Sequence, residues 1–254
     1  MKVIVGVGDS WTQGVGGVPL QQFIDWGGRV DRHDHEGGDS LYLTELENSW
    51  VNVLCRDHMP DHTPVNAGMR GYGNRGAVKN LHYLDTDWSQ VSDGWLIFML
   101  SGRIRFDYMN REAHPGRRRF HTLYPMSNNK TNEWYLKHLF TEHTAAQETM
   151  FCILEAQTFA KAHGLKFAFA YSFDNCDDMW GDPYGLSTKI DPQACINPGT
   201  TYFNQLASLD GREADWGWYS KQPLPLKHVT NCIHPTIDGY KAIAADMAEF
   251  MKTR

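Results

Sequence analysis

Apolar positions fall into two rhythms along the chain. Short, nearly continuous runs have the length and the β-branched or aromatic content of buried strands. They are "KVIVGV" ending at Gly8, "GWLIFML" (Gly94–Leu100) and "LKFAFAYS" from Leu165, with "TPVNAG" (Thr63–Gly68) a short second strand in chain order. Between them, apolar residues recur at helical spacing. "SWVNVLCRDHM" from Ser49 and "NRGAVKNLHYLD" from Asn74 predict amphipathic helices. "NEWYLKHLFTEHTAAQETMFCILEAQTFAKAHG" predicts one long helical stretch closed by Gly164, and "TIDGYKAIAADMAEFMKTR" a last helix. Strands alternating with helices predict an α/β fold, a three-layer α/β/α arrangement around a doubly wound parallel sheet. Such sheets carry their sites beyond the carboxyl ends of the strands. Gly17–Leu41, Arg103–Lys130 and Phe173–Lys227 break the rhythm and are expected as long loops inserted into one scaffold. Residues 1–254 are therefore expected to form a single domain.

Composition narrows the class. A chain of 254 residues can bury a core without staples. A net charge of −6 argues against a nucleic-acid binder. No run approaches the ~20 apolar residues of a membrane span, and "MKVIVGVGD" lacks the pattern of a signal peptide. The expectation is a soluble protein without its own export signal, cytoplasmic by default. Five widely spread cysteines fit reduced thiols, with Cys176–Cys195 the bridge left open. Aromatic residues are abundant, with nine Trp, eleven Tyr and twelve Phe, and some of these flat rings could line a groove for a sugar.

Two short motifs carry candidate chemistry. Ser10 stands where the first strand ends. There it is either a helix N-cap or a nucleophile beside backbone N–H groups that can face a substrate carbonyl. His234, in "NCIHPTIDGYKAIA", either decorates the start of the last helix or serves as a general base. A serine hydroxyl attacks poorly until such a base takes its proton, and a doubly wound fold can bring these distant positions together.

In these residues the chain resembles the SGNH hydrolases, the GDSL-type esterases and lipases. Gly8-Asp9-Ser10 matches that family's opening block. "NAGMRG" (Asn66–Gly71) matches its Asn-x-x-x-x-Gly block, and "NCIHP" (Asn231–Pro235) matches in part its terminal Asp-x-x-His-Pro. The resemblance implies an SGNH, flavodoxin-like sheet and an ester hydrolase that needs no metal or organic cofactor. It implies Ser10 as nucleophile, His234 as base, the N–H groups of Ser10 and Gly71 as oxyanion donors, and Asp9 as a structural residue holding the turn. Two positions depart from the family pattern. "SGRIRF" stands in place of Gly-x-Asn-Asp and puts Arg103 where an oxyanion Asn belongs. Asn231 stands where an Asp orients the histidine; its amide oxygen can accept from the ring but supplies no charge. Members encoded by bacteriophages are also loose at the third block, which would make the protein virion-associated if phage-encoded. The alternative implied by these departures is a decayed scaffold acting as a glycan-binding or virion structural module.

Other clusters weigh less. "RHDHEGGD" groups His33, Asp34, His35 and Glu36 but reads as a solvated loop, and His138 and His143 have the wrong spacing for a helical zinc pair. Arg117, Arg118 and Arg119, with Arg111, form a basic patch in an acidic protein. They are either solvated or a binding surface for an anionic substrate. Trp11, directly after the serine, and Trp180, Trp216 and Trp218 in the late loop are candidates to line a substrate groove. The expected partner is a small-molecule or glycan ester, with no nucleic acid and no membrane. Oligomeric state is not legible.

Overall fold

The computed structural model describes residues 1–19, 21–22, 38–109, 120–123, 130–173, 185–222 and 226–254. At its centre lies a parallel four-stranded sheet of order β2-β1-β3-β6. It is made from β1 (Lys2–Gly8), β2 (Thr63–Gly68), β3 (Asp93–Leu100) and β6 (Lys166–Tyr171). Register runs Val3↔Thr63 to Gly8↔Gly68 between β1 and β2, and Lys2↔Asp93 to Val7↔Phe98 between β1 and β3. Both faces of the central strands are covered, which is why their sequences read as unbroken apolar runs.

Alternate residues of β1 supply the two cores. Val3, Val5 and Val7 face α4 (Asn74–Asn80) and α6 (Glu142–Ala162). Ile4 faces α3 (Trp50–Val53), α7 (Tyr202–Leu209) and α9 (Ile237–Lys252). Gly6 lets α3 approach, since a Cβ there would stand 2.3 Å from Val51 Cγ2. The chain leaves β1 to one side for β2, then returns to the other side for β3. The carboxyl ends of β1 and β3 thus form the switch point where doubly wound sheets hold ligands. An isolated parallel bridge, Phe169↔Cys195, covers the edge of β6, and Asn197 pairs with the backbone of Tyr171 in both directions, each bond 3.0 Å long.

The predicted long helix is two. α5 (Lys130–His138) ends where the N–H groups of Leu139 and Phe140 both donate to Tyr135 O. Thr141 then opens α6 with a reciprocal capping box with Thr144, both bonds 3.0 Å. Two threonines three apart satisfy the free amides of a new helix, and this outweighs continuation of the old one. All three expected loops also carry structure. β4 (Phe106–Met109) and β5 (Phe120–Leu123) pair as an antiparallel hairpin inside Arg103–Lys130. Phe173–Lys227 contains α7 and the short α8 (Trp216–Tyr219). α2 (Gly38–Glu47) begins within the first of the expected loops.

Asp107 fixes the hairpin to the start of α4. Its buried carboxylate accepts from the N–H groups of Gly73 (2.9 Å) and Gly76 (2.6 Å) at the start of α4, and from Thr122 Oγ1 (2.5 Å) on β5. Asp107→Ala strands these donors and is expected to lower unfolding free energy by about 1–3 kcal/mol. Asp107→Asn, which keeps one acceptor oxygen, should lose less. Urea denaturation of the two variants measures this, and equal stability would show that water replaces the carboxylate. Cys55, Cys152 and Cys232 carry free thiols. Among the described residues no helix is long and apolar enough to cross a membrane.

Candidate active site

β1 ends at Gly8, which has φ of 158°. A Cβ there would lie 2.3 Å from Thr12 Oγ1 and 2.6 Å from Met99 O, so only glycine lets the chain turn this tightly against β3. Asp9 follows, fully buried, and caps α1 (Ser10–Gln13) by accepting from Trp11 N–H at 3.0 Å. Its other oxygen receives Ser101 Oγ–H at 2.8 Å and Arg105 Nη1–H at 2.6 Å. Arg105 also donates to Tyr72 O at 3.1 Å and to Ser101 Oγ at 2.7 Å. Asp9 thereby joins the ends of β1 and β3, and its carboxylate is matched by a cation and two neutral donors.

The loop after β2 is tied to the same short helix. Gly68 accepts close contact with α1: a Cβ there would stand 2.3 Å from Gln13 N. Asn66 Nδ2 donates to Thr12 O at 2.8 Å and to Ser49 Oγ at 2.9 Å. Arg70 N–H donates to Gln13 Oε1 at 2.7 Å, while Gln13 Nε2 (3.3 Å) and Arg70 Nη2 (2.8 Å) both engage Glu45. Burial pushes the Glu45 carboxyl up, against the pull of Arg70 and Gln13. Gly71 sits next in this loop with φ of 80°.

His234 arrives from the other end of the chain. The segment before α9 is folded back by a bridge between Val229 and Pro235, by Thr230 N–H to His234 O (2.8 Å), and by Thr236 N–H to His228 O (3.0 Å). His228 is itself held to Asp210, with Nδ1 2.8 Å from Oδ1. Gly16, at φ 92°, lets this segment lie against the chain leaving α1, because a Cβ would meet Pro235 O at 2.7 Å and His234 Cβ at 3.1 Å. Tyr240 Oη–H donates to Val15 O at 2.8 Å and fastens α9 to the same place. The result is a contact between His234 Nε2 and Ser10 Oγ of 2.8 Å. On the far side of the ring, Cys232 Sγ lies 2.9 Å from Nδ1 and 3.1 Å from Thr230 Oγ1. Between the two, Ile233 has φ of 60°, a left-handed conformation costly for a β-branched residue. Burial of its side chain and its N–H bond to Thr230 O (2.9 Å) hold it there.

The expected site residues divide accordingly. Ser10 and His234 meet. At the outer ring nitrogen, for which Asn231 was expected, Cys232 Sγ lies 2.9 Å away. Arg103 pairs with Glu142 at 3.2 Å, near the start of α6, and the arginine that reaches the Asp9 carboxylate is Arg105. Trp11, expected to line the substrate groove, has no exposed surface. All four residues of α1 are buried, and its indole packs edge-on against Phe173 at 4.7 Å. Phe173 continues to Trp216 (6.1 Å), which is exposed, and the Arg105 guanidinium lies 6.0 Å from the Phe173 ring. Arg111, Arg117, Arg118, Arg119, Trp180, Cys176 and the His33–Glu36 cluster lie outside the described residues.

No protein-family model and no curated protein sequence matches this chain. Solved structures similar to it include three ester-cleaving proteins by description. One is a member of the lipolytic G-D-S-L family from Veillonella parvula, with 14% identity, a TM-score of 0.44, and 98% of this chain and 97% of that one covered. Another is the acetyl xylan esterase AlAXEase, with 10% identity, a TM-score of 0.47 and 98% of each chain covered. The third is a carbohydrate acetylesterase family member from Sinorhizobium meliloti, with 12% identity, a TM-score of 0.43, and 100% of this chain and 98% of that one covered. Likenesses this remote do not by themselves assign a chemistry to the chain.

Proposed function

We propose that the protein is a serine ester hydrolase of SGNH type. The observation that carries this reading is the 2.8 Å contact between Ser10 Oγ and His234 Nε2 at the switch point of the sheet. In the reaction, Ser10 Oγ attacks the ester carbonyl while Nε2 takes its proton. The amides of Ser10 and Gly71 receive the negative charge that develops on the carbonyl oxygen. The Ser10 amide suits this, because the first residue of a helix donates to no carbonyl within that helix. The tetrahedral intermediate collapses, and His234 returns the proton to the departing alcohol. Water, deprotonated by the same imidazole, then releases the acid and frees Ser10. The exposed Trp216 and its neighbour Phe173 favour a carbohydrate as the alcohol side of the ester, since flat rings stack on sugar faces. A binding module on the same scaffold would not require this serine–histidine contact.

Fluorophosphonate labelling tests the reading. The wild-type protein should be labelled, with the modification mapped to Ser10, and should hydrolyse short-chain acyl esters. A protein that neither labels nor turns over any ester across acetyl to butyryl substrates is not a serine hydrolase.

A further inference from the structure

We infer that Cys232 is a positioning residue that holds His234 in the tautomer able to accept the Ser10 proton, in the place an acid would occupy. This rests on the serine hydrolase reading above. For Nε2 to accept from Ser10 Oγ–H, the ring proton must reside on Nδ1, and Nδ1–H then needs an acceptor. Cys232 Sγ lies 2.9 Å away. A neutral thiol carries one proton, and its direction decides the outcome. Donated to Nδ1, it would force the other tautomer and aim Nε2–H at the serine. Directed instead to Thr230 Oγ1, 3.1 Å from the sulfur, it leaves the sulfur lone pairs to the ring.

The backbone builds this arrangement at a cost. Ile233 occupies the left-handed region between the two side chains, and strain of this kind persists where the surroundings over-determine it. Thr230 does more than meet the thiol. Its Oγ1 also accepts His234 N–H at 3.0 Å, so one hydroxyl sets the backbone of the histidine and the direction of the thiol proton. Burial pushes the Cys232 thiol up to about 11, so the sulfur remains a neutral dipole at neutral pH. It fixes the geometry of the imidazole without supplying a counter-charge to the imidazolium.

The test reads the ring directly. Long-range proton–nitrogen correlation spectra of the full-length protein, with histidine nitrogens labelled, should show His234 protonated at Nδ1 near neutral pH. Cys232→Ala should shift His234 toward a mixture of tautomers and lower kcat by about 10–100-fold, part of what a general base contributes, with KM little changed. Cys232→Ser, whose hydroxyl is also an acceptor, should keep the Nδ1–H tautomer and most of kcat. A Cys232→Ala protein with the wild-type tautomer and wild-type kcat overturns the inference. So does a wild-type spectrum with the proton on Nε2. The spectra need no substrate. If Cys232→Ala moves the tautomer in a protein that cleaves no ester, the hydrolase reading fails and the positioning role stands.

Discussion

Replacing Ser10 by alanine is expected to abolish fluorophosphonate labelling and to reduce ester hydrolysis by up to about 10⁶-fold, because no other group replaces the attacking oxygen. His234→Ala should come close to the same loss, since an unassisted hydroxyl is a weak nucleophile at neutral pH. The two residues act as one unit across a 2.8 Å contact, so the double variant should be no worse than either single one. Additive losses would show that Ser10 and His234 work in separate steps. The thermal midpoints of all three should stay near that of wild type, because neither side chain anchors the layers. Labelling that survives Ser10→Ala would place the nucleophile elsewhere.

The largest effect on stability is expected at Asp9. Asp9→Ala removes the carboxylate with which the mostly buried Arg105 pairs, and also the cap of α1. Breaking a buried pair from one side costs about 3–5 kcal/mol. Urea denaturation should show that loss. The double variant Asp9→Ala/Arg105→Met should recover part of it, because the buried cation goes too. A double variant less stable than the single would show that Arg105 contributes chiefly through Tyr72 O and Ser101. Asp9→Ala should also slow labelling of Ser10, since the residue that orients α1 and the residue that reacts are neighbours.

Much of this framework is legible in the sequence because its causes are local. The apolar runs of β1, β3 and β6 lie between turn residues, and a strand buried on both faces has no other way to look. Ser10 and His234 are legible as candidates because each sits beside a glycine or proline that marks the end of an element. What lies between them is not. The Arg103 side chain turns to Glu142 and the Arg105 side chain to Asp9, and no spacing rule distinguishes two arginines flanking one isoleucine. Cys232 is hidden inside "NCIHP" because its place at the ring depends on the left-handed conformation of Ile233, which a β-branched residue gives no reason to expect. Trp11 reads as a groove residue by adjacency to Ser10, yet α1 is buried on every side, so its indole enters the core. Thr141 and Thr144 offered a signal for the break between α5 and α6, but the apolar spacing on either side masks it.

Ser10 and His234 stand 224 residues apart in the chain, which orders events during synthesis. A ribosome makes the nucleophile first and the base 224 residues later. The central sheet can assemble from β1, β2, β3 and β6 while the serine still lacks its partner. On the proposed reading, the nascent chain stays inert toward esters until the segment around Thr230 emerges and α9 docks against Val15. Products of premature termination would then carry the scaffold without its reactivity.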